Sequence, residues 1–158
     1  MTPCDIRLYG ILDPEHTRGR DLATLADAAV RGGVTILQLR DKLAGTRLFV
    51  ERARAVKAAL AGRIPLIIND RVDVALAVDA EGVHVGRSDM LPADARRLIG
   101  SGKILGLTLK TSAHIVEIDP LEYEVVTPAP SKVRLRLEEK SEGLPTSGFW
   151  RSNMAVAD

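Results

Sequence analysis

The stretch TILQLRDK, residues 35–42, indicates both the class of fold and the position of a candidate functional site. It begins as a short, largely apolar run typical of a buried strand and ends in charged residues. Because side chains alternate along a strand, Gln38 and Arg40 share one face, whereas Leu37 and Leu39 share the other. If the leucines pack beneath helices, Gln38 and Arg40 face the inside of the sheet, where an arginine needs an anionic partner.

The same alternation of short apolar runs and longer amphipathic runs continues on both sides of this stretch. Strands are predicted at residues 6–12, 34–39, 65–68, 82–85, 103–109 and 122–126. Helices are predicted at residues 21–31, 46–60, 70–78, 92–99 and 112–118. Repeated βα units imply an α/β protein with a parallel sheet. The pattern fits both a doubly wound sheet and a (β/α)8 barrel.

The composition indicates a globular protein with an aliphatic core. Of the 158 residues, 46% are hydrophobic and only 3% are aromatic, as suits buried parallel strands. The net charge of +1 argues against broad electrostatic binding to nucleic acid or to an anionic membrane. Cys4 is the only cysteine, which excludes an intrachain disulfide. With no signal pattern and no long apolar run, we expect a cytoplasmic protein.

Basic side chains follow the second predicted strand. The planar guanidinium of Arg40 suits phosphate oxygens, and Lys42 adds a second positive charge just past the strand. The carboxyl ends of the strands are where the active sites of barrels lie. The residues alone leave open whether this cluster binds a phosphate or is a solvated basic loop.

Amide and acidic side chains follow the next two strands. Asn69 and Asp70 stand at the end of one strand, and Asp89 stands just beyond the next. Two carboxylates from neighbouring strand ends can share a hard cation such as Mg²⁺, which also takes substrate phosphate oxygens. Taken alone, Asp70 also fits the N-cap of the helix that follows. The three strand ends together predict a site for a magnesium-diphosphate group.

Two further polar residues lie on the later strands. The hydroxyl of Thr108, near the end of the fifth strand, suits a phosphate or a ring nitrogen, although an ordinary strand threonine is the alternative. His84 is predicted to be an internal packing residue with a satisfied ring, and no role as a base is assigned to it.

Four segments resemble thiamine-phosphate synthase, in the order in which that family has them: GVTILQLRDK (33–42), INDRVDVA (68–75), GVHVGRSDM (82–90) and GLT (106–108). The resemblance implies a TIM (β/α)8-type barrel and a transferase of thiamine biosynthesis. The family joins a hydroxymethylpyrimidine diphosphate to a thiazole phosphate and releases pyrophosphate. In that reaction the pyrimidine diphosphate loses its leaving group, and the thiazole nitrogen attacks the resulting carbocation.

The resemblance also implies roles for individual residues. Those expected to bind the pyrimidine diphosphate are Gln38, Leu39, Arg40, Asp41, Lys42 and Asn69. Asp70 and Asp89 would hold Mg²⁺, the implied cofactor, and Thr108 would contact the pyrimidine substrate. No residue is assigned as an acid or a base, because the reaction depends on neutralising the leaving diphosphate.

The resemblance weakens after residue 111. Residues 123–132, YEVVTPAPSK, are an altered form of the family's glycine-rich loop, in which Ser131 is expected to contact the thiazole phosphate and Lys132 the pyrophosphate. Residues 133–158 do not resemble the family, and its last two strands have no counterpart. We therefore expect an incomplete barrel of about six of the eight strands over residues 1–132, with an atypical tail over residues 133–158.

Three functions remain open. The chain is a thiamine-phosphate synthase, a catalytically impaired remnant that keeps only a pyrimidine-diphosphate and Mg²⁺ half-site, or the related thiazole tautomerase, which shares the barrel. The retained cations, amides and acids favour a synthase ancestry over the tautomerase. We expect small-molecule substrates, no nucleic-acid or membrane partner, and self-association through the uncovered strand edges of an incomplete barrel.

Overall fold

The computed structural model describes residues 5–86, 88–109 and 125–128. Its strands are β1 (Tyr9–Leu12), β2 (Ile36–Leu39), β3 (Leu66–Asn69), β4 (Gly82–Val85), β5 (Ile104–Leu109) and β6 (Val125–Pro128). Its helices are α1 (Leu22–Arg31), α2 (Thr46–Leu60), α3 (Val72–Ala77) and α4 (Pro92–Ile99), with a 3₁₀ turn at Pro14–His16. The predicted helix at residues 112–118 and the predicted tail at residues 133–158 lie outside the described residues.

The six described strands form one sheet in which neighbours in space are neighbours in the chain. The order is β1-β2-β3-β4-β5-β6, and every pair is parallel. A doubly wound sheet starts in its middle and reverses direction, so its strands are not in chain order. The order therefore excludes the doubly wound alternative and confirms the barrel-type fold, and the six strands among the described residues are consistent with the expected incomplete barrel.

The two faces of the sheet carry different layers of side chains. On the outer face, Leu37 and Leu39 are buried against the helices in the main core. On the inner face, Ile36 and Ile67 form a second, smaller cluster together with Tyr9 and other partly buried neighbours. The alternation predicted for residues 35–42 is thus confirmed, since leucines and isoleucines of one strand belong to different clusters.

Helix α2 shows how the outer core is closed. Its fully buried side chains are Phe49, Ala53, Val56 and Leu60, at intervals of three and four residues, so they form one stripe along the helix. Burying a large apolar side chain of this kind contributes about 1.5–3 kcal/mol. Leu48 lies off the stripe and is 43% exposed.

The start of the third helix differs from the prediction. Residues 70–78 were expected to be helical with Asp70 as a possible N-cap, but α3 begins at Val72. Asp70 has a backbone φ of +62°, in the left-handed region, which neither a helical residue nor an ordinary N-cap adopts. Arg71 takes the capping position without a side-chain hydrogen bond, so the capping interpretation of Asp70 was wrong.

The remaining boundaries agree closely with the sequence patterns. Helices α2 and α4 and strand β4 have the predicted limits. Strand β1 begins at Tyr9 rather than at residue 6, and of the strand predicted at residues 122–126 only residues 125 and 126 are described, both in β6. Among the described residues no helix combines the length and the apolar character needed to span a bilayer.

Gly82 allows β3, β4 and β5 to come together, and we expect Gly82→Ala to destabilise the fold. A Cβ at residue 82 would lie 2.4 Å from the carbonyl oxygen of Ile104 and 2.8 Å from Cδ1 of Ile67. Because a backbone oxygen cannot move without breaking the sheet, the expected loss of unfolding free energy is about 1–3 kcal/mol. Denaturant unfolding measures it. In the control Gly102→Ala the new Cβ meets nothing within 4 Å, so equal losses in both variants would contradict the prediction.

Candidate functional site

A chain of hydrogen-bonded side chains crosses the inner face of the sheet. The Tyr9 hydroxyl donates to Oε1 of Gln38 at 2.6 Å, and Nε2 of Gln38 donates to Oδ1 of Asn69 at 2.8 Å. Gln38 and Asn69 are both buried, so each amide needs such partners. The bonds fix the two amides against each other and link β1, β2 and β3 directly below the strand ends.

Arg40 follows β2 and forms an ion pair with Asp13, which follows β1. The register pairs Leu12 with Leu39, and the backbone N–H of Arg40 donates to the carbonyl of Leu12 at 2.9 Å, so the two charged residues stand side by side. Asp13 is buried, whereas the Arg40 side chain is one-third exposed. Arg40 is therefore held at the carboxyl ends of the strands, which we call the mouth of the sheet, by the Asp13 carboxylate. The sequence patterns did not single out this carboxylate.

Lys42, Asp70 and Asp89 meet at the ends of three neighbouring strands. Nζ of Lys42 lies 2.9 Å from Oδ2 of Asp70, and the Asp89 carboxyl is close enough to raise the pKa of Asp70. Asp89 also accepts the backbone N–H of Gly86 at 2.8 Å. The structure thus brings together the two acids that the sequence assigned to a metal and one of the cations that it assigned to diphosphate.

The backbone of Asp70 is shaped to deliver its carboxyl to this cluster. Its N–H donates to the carbonyl of His84 on β4, and the N–H of Arg71 donates to the carbonyl of Asn69, both at 2.7 Å. These bonds hold Asp70 in a left-handed conformation, which costs an ordinary residue of order 1 kcal/mol and which aspartate tolerates better than most. Such a conformation at a strand end is common at functional sites.

The electrostatics of the acid pair suit a divalent cation. Burial raises the pKa of the Asp70 carboxyl, the Lys42 ammonium opposes that shift, and the Asp89 carboxyl adds to it. Within the described residues no third aspartate, glutamate, histidine or cysteine joins the pair to complete a protein cage. One or two carboxylates, with the other coordination positions left to water and substrate oxygens, form the ligand set in which Mg²⁺ is usually bound, so these residues fit the expected cofactor.

His84 and Thr108 lie on the same inner face, on β4 and β5. Nε2 of His84 and Oγ1 of Thr108 share a hydrogen bond of 2.7 Å, and His84 is buried, as predicted. Burial lowers the pKa of His84 from 6.5 to about 4, although the Asp89 charge opposes the shift. The ring is therefore neutral at pH 7, and its hydrogen bond orients the Thr108 hydroxyl.

Two residues of the QLRDK stretch turn their side chains away from the mouth. Leu39 is fully buried in the outer core. Asp41 accepts the backbone N–H of Ala44 at 3.1 Å and pairs with Nη1 of Arg52 on α2 at 2.5 Å. Leu39 and Asp41 can therefore contact a substrate only through their backbone.

The structure does not describe two of the residues that the sequence assigned to the site. Ser131 and Lys132 lie outside the described residues. Asp13 and Tyr9 are site residues that sequence reasoning missed. The strand register indicates both residues. Residues 9–12 of β1 pair with residues 36–39 of β2, and this pairing places Tyr9 and Asp13 beside the polar residues of the second strand.

Comparison with known proteins identifies one family. The model described as thiamine monophosphate synthase matches residues 8–131. A thiamine-phosphate synthase from Xanthobacter autotrophicus is 55% identical over 118 residues, which are 74% of this chain and 56% of that protein. One from Azorhizobium caulinodans is 45% identical over 157 residues, which are 98% of this chain and 74% of that protein, so that alignment also takes in most of residues 133–158.

A solved structure supports the same relationship. The thiamine phosphate pyrophosphorylase from Pyrococcus furiosus superposes with a TM-score of 0.67 at 26% identity, covering 77% of this chain and 59% of that one. The chain spans just over half the length of the relatives from Xanthobacter autotrophicus and Vibrio parahaemolyticus, at 56% and 58%.

The buried His84 predicts a specific dependence of stability on pH. Its pKa is about 4 in the folded protein against 6.5 ordinarily, so the unfolded chain binds more protons between these values. The stability that the neutral ring contributes is complete above pH 6.5 and is lost as the pH falls to about 4, by about 3 kcal/mol in total. We expect His84→Gln to remove this contribution to the loss of unfolding free energy at low pH.

Denaturant unfolding at about pH 7 and about pH 4.5 measures the effect, because the two pH values lie on either side of most of the window. The control is His16→Gln, since the His16 side chain is 81% exposed. It should keep the wild-type pH dependence. An identical pH dependence in wild type and His84→Gln would contradict the assignment.

Proposed function

The chain belongs to the thiamine monophosphate synthase family, and from this premise we propose that it condenses hydroxymethylpyrimidine diphosphate with thiazole phosphate, giving thiamine phosphate and pyrophosphate. The chain would thus be a transferase of the thiamine-phosphate diphosphorylase type. Because the matched part is just over half of the first relatives' length, the activity of this chain rests on its own residues.

The observation that carries the proposal is the cluster of Lys42, Asp70 and Asp89 at adjacent strand ends. A cation beside two carboxyls, one of which has a raised pKa, is an arrangement that a metal-bound diphosphate stabilises. A bound cation would offset the repulsion between the two carboxylates, and the diphosphate would attract the Lys42 ammonium. Carboxyl strand ends are also where barrel enzymes bind their substrates.

Each side of the site has a role in this proposal. Arg40, Lys42 and the Asn69 amide bind the diphosphate, whereas Gln38 and Thr108 face the pyrimidine ring. Leu39 and Asp41 contribute backbone groups. Ser131 and Lys132 are proposed for the thiazole phosphate and the pyrophosphate on the family resemblance alone.

Magnesium belongs to the same proposal, with Asp70 and Asp89 as its protein ligands. When bound, Mg²⁺ would neutralise part of the diphosphate charge and so make it a better leaving group. Arg40 and Lys42 would also neutralise the diphosphate charge. Their guanidinium and ammonium groups hold the diphosphate while its bond to the pyrimidine methylene breaks. The neutral His84 keeps the Thr108 hydroxyl oriented and takes no proton.

Two alternatives keep specific support. A remnant that only binds pyrimidine diphosphate and Mg²⁺ is favoured by the fact that the described site residues all belong to that half of the site. The thiazole tautomerase is less well supported, because diphosphate release has no place in its chemistry, whereas Lys42, Asp70 and Asp89 meet here.

We also propose a cytoplasmic location, small-molecule substrates and no membrane or nucleic-acid partner. The division into a barrel part at residues 1–132 and a distinct tail at residues 133–158 stays a prediction.

We also propose self-association, which the uncovered edges of the described sheet support. Among the described residues β1 and β6 each have one neighbouring strand, and Ile11, on the inner face of β1, is 61% exposed. An unpaired strand edge next to exposed apolar surface favours pairing with another chain.

We expect Ile11→Asp to lower the oligomeric state of the purified chain, because a charge on that face opposes burial. Size-exclusion chromatography with light scattering measures it. The control Leu98→Asp changes an exposed leucine of α4, 50% exposed, and should leave the elution unchanged. A stable wild-type monomer would refute self-association.

The enzymatic proposal is tested by incubating the chain with both substrates and Mg²⁺ and following thiamine phosphate. We expect product, and we expect Asp70→Asn to lower the rate by about a hundredfold or more, since it removes a metal ligand and its charge. The control Asp94→Asn neutralises an exposed carboxylate on α4 and should keep full activity.

The other outcomes separate the alternatives. No product, together with Mg²⁺-dependent binding of the pyrimidine diphosphate by calorimetry, would favour the half-site remnant. Failure to bind either substrate would contradict both the synthase proposal and the half-site proposal.

A further inference from the structure

Asp13 is a buried acid that the proposed reaction does not use. Its side chain is 7% exposed, and its two oxygens have different partners. Oδ1 accepts the backbone N–H of Glu15 at 3.0 Å, which caps the 3₁₀ turn after β1. Oδ2 is paired with Nη1 of Arg40, and the exposed ring of His16 lies 3.7 Å from the same oxygen.

This arrangement fixes the carboxylate before any ligand arrives. The cap determines the direction of Oδ1, and the β1–β2 register determines where Asp13 stands relative to Arg40. The carboxylate therefore has one orientation in which Oδ2 meets the guanidinium. An arginine at the end of a strand otherwise has several rotamers and loses their entropy when it binds an anion.

We infer that Asp13 is a positioning residue that holds Arg40 with one edge of its guanidinium on the carboxylate and the rest directed at the diphosphate. The inference rests on the proposed function, because it takes Arg40 as a diphosphate ligand. A guanidinium has five N–H donors, so the bond from Nη1 to Asp13 leaves the others for phosphate oxygens. Among the described residues no other side chain accepts a hydrogen bond from the Arg40 guanidinium.

The opposite role for the same contact would be competition. If Asp13 merely neutralised Arg40, a diphosphate would have to displace it, and removing the carboxylate would strengthen anion binding. If Asp13 orders Arg40, removing it weakens anion binding. The two roles thus predict opposite signs for one measurement.

The test uses the full chain with inorganic pyrophosphate and Mg²⁺ as the probe, measured by calorimetry. Asp13→Asn keeps the size and an oxygen for the cap but loses the charge that holds Arg40. Asp13→Ser also keeps a capping oxygen and is too short to reach the guanidinium. We expect both to raise the dissociation constant of pyrophosphate roughly tenfold. Tighter or unchanged binding in the folded variants would overturn the inference.

A double-mutant cycle separates positioning from a merely structural role. In an Arg40→Ala background, Asp13→Asn should have no further effect on pyrophosphate binding, because there is no guanidinium left to position. A further loss of similar size would mean that Asp13 acts through the fold and not through Arg40. The control Asp94→Asn removes a negative charge on α4 and should leave binding unchanged.

A readout independent of any ligand completes the test. In the wild type, the Nε–Hε group of Arg40 should give a resolved NMR signal that Asp13→Asn broadens or shifts towards those of exposed arginines. If the wild type makes no thiamine phosphate but binds pyrophosphate, the proposed function fails and the cycle still decides the role of Asp13. If it binds no pyrophosphate, an unchanged Arg40 signal in Asp13→Asn overturns the inference, and a changed one supports it.

Discussion

The parallel register of the strands is the constraint on which the site depends. Because Leu12 pairs with Leu39 and Asn69 pairs with His84, the strands reach the same edge of the sheet within a few residues of each other. The residues after each strand then have to share one small region, whatever their charge. Polar side chains that are far apart in the chain become neighbours there, and the helices on the outer face keep the sheet packed behind them.

Charge balance at that edge is the second feature that unites the site. Arg40 stands against Asp13, Lys42 stands against Asp70, and Asp41 is matched by Arg52 on α2. A partly buried cation with no counter-ion would cost more than the fold could recover, so each has an acid beside it. The first two pairs lie at the carboxyl ends of the strands, whereas the third is directed towards α2 and secures the loop that carries Lys42.

Much of this could be predicted from the sequence, and the limits have physical causes. The strands and helices follow from apolar periodicity, and the assignment of Gln38 and Arg40 to one face follows from the two-residue repeat of a strand. The conformation of Asp70 could not be predicted, because a left-handed residue is imposed by the bonds to His84 and from Arg71 and has no local signature in aspartate. Asp13 was missed for a related reason, since its partner is fixed by register and not by neighbours in the chain.

Gly106 and His84 illustrate how a site can restrict the evolution of a strand. A Cβ at residue 106 would lie 2.3 Å from Nδ1 of His84, so the imidazole occupies the space that a side chain on β5 would need. Residue 106 can acquire a side chain only where residue 84 has given up its ring, and a ring at residue 84 presupposes glycine on the next strand. Because the two side chains would compete for one space, replacing Gly106 while His84 remains destabilises the sheet, and a smaller residue at position 84 has to come first.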